Sequence, residues 1–267
     1  MITVDKNLCI KCGKCIKDCV VEILKFDANG NVFLDPELEI DCINCQHCLA
    51  ICPVGAITCN GVTPNSCKPI GNVPSFDEML NLLSQRRTIR FFKDENLSKE
   101  DINKLKRSLA WSATGCNRRA LMFKIVENKE EMSFYRNALI PIIKLLNKLW
   151  VFKLFFPRYK RFVKQILEGK DVVFRGAPHM IIVGVKKNSP TKVADPLIAL
   201  SNFDLTCQTL GIGTCWCGFA ERAFKVSKKM RKQIYWPKDY QIGSVMLFGK
   251  PDVTYARSTN PKDYPFL

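Results

Sequence analysis

Histidine is nearly missing from this chain, with only His47 and His179 among 267 residues. Hydrolytic triads depend on histidine as a base, so hydrolysis is not expected. His47 lies inside a cysteine-rich loop and His179 opens an apolar run, and neither has triad company. No stretch is apolar enough to cross a membrane. The nearest, 139–156, contains Lys144, Lys148, Lys153 and Asn147, and lysines near the centre of a span are costly. The N-terminus shows no basic stretch leading into an apolar run and cleavage site, so a cytoplasmic location is expected. No G-x-G-x-x-G fingerprint follows a strand-like run, which argues against a dinucleotide-binding βαβ unit. No RNA- or DNA-binding motif is present, so no nucleic acid partner is expected.

Acidic residues are scarce in the larger part of the chain. Residues 1–60 hold five Lys against eight Asp/Glu, a net of −3. Residues 61–267 hold 36 Lys/Arg against 17 Asp/Glu, a net of +19. A lysine-rich background would explain the basic body but not the asymmetry. An acidic front segment beside a basic body is an internal electrostatic match. The length suits one medium domain plus a small one.

What the chain has in abundance is cysteine, 14 in all. Cys9, Cys12, Cys15 and Cys19 form one C-x2-C-x2-C-x3-C run, and Cys42, Cys45, Cys48 and Cys52 form another. CIKCGKCIKDCVVEIL aligns on CINCQHCLAICPVGAI without a gap. Such regular spacing without secretion reads as metal binding rather than disulfides. Structural zinc is the alternative, because C-x2-C pairs also bind zinc. The doubled run resembles bacterial two-cluster ferredoxins over roughly residues 2–60. That resemblance implies two [4Fe–4S] clusters, with the last Cys of each run ligating the other cluster. One cluster would take Cys9, Cys12, Cys15 and Cys52, and the other Cys42, Cys45, Cys48 and Cys19. Pro53 follows the second run as in those ferredoxins, whereas Val20 follows the first. Cys59 and Cys67 read as ordinary thiols near a linker.

We place a ferredoxin-like domain at 1–60, a Gly- and Pro-rich linker at 61–74, and a larger α+β domain at 75–267. Ser75 to Glu78 spells a capping box ahead of apolar Met79, Leu80, Leu82 and Leu83. A second helix is predicted from Ser98, burying Ile102, Leu105 and Leu109. Strands are predicted over 121–126, 179–185 and 244–248. Between the last two, Asp195-Pro196 would cap a helix running to Leu210, with Gly211 closing it.

Five motifs in the body then carry a second resemblance. They are Arg86-Arg87-Thr88-Ile89-Arg90-Phe91, Ser112-Ala-Thr-Gly-Cys-Asn117, Arg175-Gly-Ala-Pro178 with its apolar strand, Gly211-Ile-Gly-Thr-Cys-Trp-Cys-Gly218, and Gly249-Lys250-Pro251 with Arg257. Together, and in this order, they resemble the nitroreductase family. The resemblance implies FMN, and active sites formed between the subunits of a homodimer. Arg86, Arg87, Thr88, Arg90 and Arg257 would serve the FMN phosphate, since arginine forks suit such anions. Ala113, Thr114, Gly115 and Asn117 would approach the flavin from the partner subunit. Cys215, Trp216, Cys217 and Gly218 would lie along the isoalloxazine, with the Cys217 backbone N–H toward flavin N5. The family's N-x-Q-P becomes Asn117-Arg118-Arg119-Ala120 here, so the contact after the Asn differs.

The C-x-C of Cys215 and Cys217 also admits a redox-disulfide reading, against simple packing. Cys116 and Cys207 are expected to be small buried hydrophobes. Residues 133–170 hold nine Lys/Arg, one acid (Glu168), and the aromatics Phe134, Tyr135, Trp150, Phe152, Phe155, Phe156, Tyr159 and Phe162. They read either as an amphipathic helix pair or as a lid over the flavin. No side chain stands out as a catalytic acid or base; Cys217 and Trp216 would simply be near the reacting atoms.

The expected function is an FMN oxidoreductase fed through two [4Fe–4S] clusters and reducing a small aromatic acceptor, such as a nitro compound or quinone. The donor would be a low-potential ferredoxin or flavoprotein, or NAD(P)H. Other readings are dehalogenation or enone reduction on the same scaffold, an electron-transfer or redox-sensing flavoprotein without a substrate, or an enzyme that consumes its own flavin.

Overall fold

A computed structural model describes residues 1–148 and 160–265. The chain divides into two compact units, one of Met1–Val73 with Cys116–Arg118, the other of Pro74–Gly115 with Arg119 onward.

The first unit repeats one small design. Strand β1 (Ile2–Val4) pairs antiparallel with β4 (Ile57–Cys59), and β2 (Leu24–Phe26) pairs with β3 (Val32–Leu34). Each cysteine run ends in a short helix, α1 (Lys14–Lys17) and α2 (His47–Ile51). Both helices are entered through a left-handed residue, Gly13 at φ 67° and Gln46 at φ 64°. The duplication legible in the sequence is thus a duplication of backbone conformation. Ile2, Ile23, Leu24, Val32, Leu49 and Ile57 pack with the cysteines as a single core.

The second unit is built on a four-stranded antiparallel sheet of β5 (Leu121–Val126), β6 (His179–Lys186), β7 (Gly213–Trp216) and β8 (Tyr240–Gly249), in the order β5-β6-β8-β7. Side chains alternate between sheet faces. Met180, Ile182, Val245 and Leu247 enter one core with Val126, Tyr135 and Phe224. Ile181, Val183, Met246 and Phe248 enter another with Leu105, Leu109 and Phe203. Both faces are therefore covered, which is why the strand after His179 is apolar through Val185. Helices α3 (Phe76–Gln85), α4 (Lys99–Leu109), α5 (Lys129–Lys148), α6 (Lys160–Leu167), α7 (Ala194–Thr209), α8 (Gly218–Val226) and α9 (Lys228–Ile234) complete the described elements.

Local sequence signals did much of this. The Ser75–Glu78 capping box is formed, and Ser98 caps α4 by accepting from the Asp101 N–H at 3.0 Å. Two expectations need correcting. Asp195 does not cap α7, which begins at Ala194 behind Val193. The carboxylate is instead buried and accepts from the Gly115 N–H at 3.1 Å and the Thr191 hydroxyl at 2.7 Å. Cys207 is buried as expected, but Cys116 is exposed, held in a tight turn at φ 50°. Of the aromatic 133–170 segment, Tyr135 is wholly buried core rather than lid. Trp150, Phe152, Phe155, Phe156 and Tyr159 lie outside the described residues. No helix among the described residues is long and apolar enough to cross a membrane.

Candidate functional site

The first unit encloses two small cavities with almost wholly apolar walls. One is lined by Cys9, Cys12, Cys15 and Cys52 with Ile10, Val32 and Ile57. The other is lined by Cys42, Cys45, Cys48 and Cys19 with Ile2, Ile23 and Ile43. Each cavity therefore takes three thiols from one run and the last thiol of the other. Among the described residues no trio of His, Cys, Asp or Glu converges as a single-ion site. Four sulfurs around an apolar hollow suit a sulfur-rich cluster better than a hydrated ion. Burial pushes the Cys48 thiol up to about 12, helped by the neighbouring Cys59 and Cys45 sulfurs. Burial also raises Cys15. Such thiols give up their protons only to bound metal, so occupancy and deprotonation are coupled.

Of the neighbouring residues, Cys59 departs from the sequence reading. Val20 is 78% exposed in the turn after the first run. Cys59 is no linker thiol: it ends β4, is buried, and lines the second cavity beside the four expected cysteines. Cys67 is exposed.

In the second unit the arginine segment runs beside β7. Thr88 bridges Thr214 in parallel, and the Ile89 N–H donates to the Thr214 carbonyl at 2.8 Å. Gly213 permits this approach, because a Cβ there would sit 2.5 Å from Ile89 Cγ1. Within this extended stretch the arginines have different surroundings. Arg86 Nη1 lies 3.6 Å from the buried Asp204 carboxylate, which also accepts from the Thr214 hydroxyl. Arg87 Nη1 donates to the Arg86 carbonyl at 2.8 Å, but Arg87 Nη2 is buried with no partner among the described residues. Arg90 is exposed, and its charge reaches Cys215 together with that of Arg175. Arg257 is exposed on the C-terminal stretch.

The small-residue loop is pinned at one end. Asp195 holds the Gly115 N–H, and a Cβ on Gly115 would lie 2.4 Å from Thr191. Thr114 Oγ1 accepts from the Arg119 N–H at 3.0 Å, and Ala113 is exposed. Ser112 Oγ is buried without a partner among the described residues. Asn117 belongs to the first unit, where its Nδ2 donates to the carbonyls of Ile43 and Asn44 at 3.1 and 2.8 Å.

At the end of β7, Trp216 is partly exposed while Cys215 and Cys217 are buried. The Cys217 backbone N–H donates to the Val245 carbonyl at 3.1 Å, so it is not the free donor that the resemblance implied. The ladder of β8 continues one residue past β7 and takes it. The next N–H, on Gly218, opens α8 and has no intrahelical acceptor. Nothing lies within 4 Å of a Cβ built at Gly218. Cys217 Sγ donates to the Val173 carbonyl at 3.2 Å and accepts from the Ala220 N–H at 3.4 Å. Burial raises Cys217 to about 11. Burial also raises Cys215, opposed by Arg90 and Arg175. Buried, protonated thiols with local partners favour packing over a redox disulfide.

Sequence reasoning missed Asp195 and Asp204, the buried acids that hold the loop and Arg86. It quoted Arg175 only as part of a motif. Two lone aspartates inside an apolar helix, 195 and 204, were the available signal.

The nitroreductase family model matches residues 83–250, and a 4Fe-4S dicluster domain model matches residues 8–57. A ferredoxin of Pyrobaculum islandicum is 37% identical over 57 residues, which is 21% of this chain and 50% of that protein. A nitroreductase with bound FMN from Desulfitobacterium hafniense has a TM-score of 0.56 at 24% identity, covering 70% of this chain and 97% of that one. A nitroreductase with bound FMN from Bacteroides fragilis has a TM-score of 0.58 at 16% identity, covering 71% and 98%.

Proposed function

The chain belongs to the nitroreductase family and carries a 4Fe-4S dicluster domain ahead of the family domain, and from that premise we propose an FMN-dependent oxidoreductase that receives single electrons through two [4Fe–4S] clusters and reduces a small, flat acceptor such as a nitro compound or quinone. The observation that carries the flavin reading is Arg87. A buried cationic nitrogen without a partner is costly, and a phosphate would satisfy it with a charge-assisted hydrogen bond.

When bound, the clusters supply one-electron transfer and FMN supplies two-electron chemistry. The protein's part is holding and shielding. Arg87, with Arg90 and Arg257, would hold the phosphate, while Asp204 keeps Arg86 and β7 in register. Thr88 and Ile89 fix the segment's path through Thr214. Ala113, Thr114 and Gly115 offer a narrow backbone surface that Asp195 braces. We assign the Gly218 N–H, rather than that of Cys217, as the donor to flavin N5. Trp216 stands beside it, partly exposed. Phe162 and Phe219 pack at 5.6 Å between centroids at the start of α8. Among the described residues the nearest carboxylate on α8, Glu221, is engaged by the Ser244 hydroxyl, and we assign proton delivery to water.

A second copy of the chain completes the proposed site. Helix α3 supports this, since its apolar Phe76, Leu80 and Leu83 remain exposed in one chain. The proposed donor is a low-potential ferredoxin or flavoprotein. Anaerobic stopped-flow with purified holoprotein tests the order. Iron–sulfur bleaching should precede flavin bleaching with reduced ferredoxin, and NADH or NADPH should reduce the flavin slowly. Rapid flavin reduction by NADH before any cluster change would overturn the proposed inlet. Turnover screens with nitroaromatics, quinones and enones then separate an enzyme from an electron carrier.

A further inference from the structure

The second cavity of the first unit holds one sulfur more than a cubane needs. Each iron of a four-iron cluster takes one protein thiolate, and Cys19, Cys42, Cys45 and Cys48 already supply them. Cys59 lines the same cavity, is 1% exposed, and is fixed on β4 opposite Ile2. Its thiol shares the cavity wall with those of Cys42, Cys45 and Cys48.

We propose that Cys59 is a non-ligating hydrogen-bond donor to the sulfur of the second cluster, and that it raises the reduction potential of that cluster alone. The inference rests on the cluster reading above. A thiol that does not ligate keeps its proton and has one S–H to donate. Once Cys48 is a metal-bound thiolate it can only accept, so the Cys59 S–H points toward it. Adding one electron to a cluster increases the negative charge on its sulfurs. A donor aimed at those sulfurs therefore stabilises the reduced form more than the oxidised form. Hydrogen bonds to sulfur are among the terms that set cluster potentials.

The duplication supplies an internal comparison. Continuing the gapless alignment of the two runs, β2 (Leu24–Phe26) falls on β4 (Ile57–Cys59), and Phe26 stands where Cys59 does. The Phe26 ring packs near Gly13, 3.3 Å from where a Cβ would be, and has no donor to offer. The first cavity is lined by Val4, Val32, Val54, Ala56 and Ile57 beside its four cysteines, with no fifth sulfur. Two clusters of near-identical ligation would thus differ in potential. The second would be the easier to reduce, which gives electrons a preferred resting place.

The test is an anaerobic potentiometric titration of the holoprotein followed by electron paramagnetic resonance. Cys59→Val keeps the buried apolar volume and removes the donor. One of two midpoints should fall by about tenfold in the reduction equilibrium, which is 59 mV for one electron. The midpoint that moves should belong to the cluster whose signal Cys45→Ser alters. Cys59→Ser keeps a donor and should hold that midpoint at or above its original value. Unchanged midpoints in Cys59→Val at full iron content would overturn the inference alone. Loss of the second cluster in that variant would also overturn it, by making Cys59 a ligand. A wild-type chain without iron–sulfur absorbance would sink the cluster reading itself.

Discussion

Arg86 Nη1 faces the buried carboxylate of Asp204 at 3.6 Å, while the next arginine in the chain leaves Nη2 buried without a partner among the described residues. Adjacent residues of one type therefore have different roles. Arg86 is tied into the protein.

Replacing each should separate these roles. Arg87→Ala should weaken FMN binding about 10- to 100-fold, the range for one lost charge-assisted hydrogen bond. Its apoprotein should melt near the wild-type temperature. Arg86→Ala should lower apoprotein stability, because it leaves Asp204 without its cation. Flavin fluorescence titration and thermal unfolding of the apoprotein distinguish the two. Equal loss of FMN affinity in both variants would contradict the division.

Gly218→Pro replaces the N–H assigned to flavin N5 with a ring carbon that cannot donate. Proline is tolerated at the first position of a helix, and no atom crowds a Cβ at Gly218. FMN affinity should stay within a few-fold, while turnover falls about tenfold, the value of one hydrogen bond made to the reacting flavin. Unchanged kcat would return the assignment to another donor.

Cys52 should behave as a member of the first run's site. Cys52→Ser and Cys9→Ser should perturb the same cluster signal, and Cys19→Ser should perturb the other. The basis is that Cys52 shares a cavity with Cys9, Cys12 and Cys15, and Cys19 with Cys42, Cys45 and Cys48. Electron paramagnetic resonance of the reduced proteins reads this directly. Pairing of Cys52 with Cys42 would refute the crossing.

His179 should act on stability rather than on chemistry. Its Nε2 accepts from the Leu97 N–H at 2.9 Å, so Nδ1 carries the proton toward the Val126 carbonyl at 3.2 Å. The ring also stacks on Phe248 at 5.2 Å. His179→Ala leaves a buried N–H and a buried carbonyl unpaired, at a cost of about 2–4 kcal/mol. Burial lowers the His179 pKa, so the folded state favours the neutral ring. The unfolded chain then binds the proton more readily. The contribution of His179 is present above the unfolded value of about 6.5 and declines as pH falls from there toward the folded value. Urea unfolding at pH 7.5 and 5.5 should show the gap between wild type and His179→Ala narrowing at the lower pH. A gap independent of pH would rule out this titration.

The repeated cysteine spacing pointed, from sequence alone, to a front segment that wraps metal, because ligand spacing on tight turns is a local property, and the ferredoxin resemblance implied two clusters there. Capping boxes and apolar runs did the same for α3, α4, β5 and β6, whose periods and end signals are read within a few residues. Cys59, Asp195, Asp204 and the Cys217 N–H were not legible in this way. Their roles depend on partners far along the chain: Cys19 and Cys42, the Gly115 N–H, Arg86 and Thr214, and the Val245 carbonyl. Which of two neighbouring arginines stays unpaired, and which of two neighbouring amides stays free, is decided by the hydrogen bonds that the folded sheet and buried acids take first. Only the tertiary structure carries that order, because a buried polar group must find its partner across the fold.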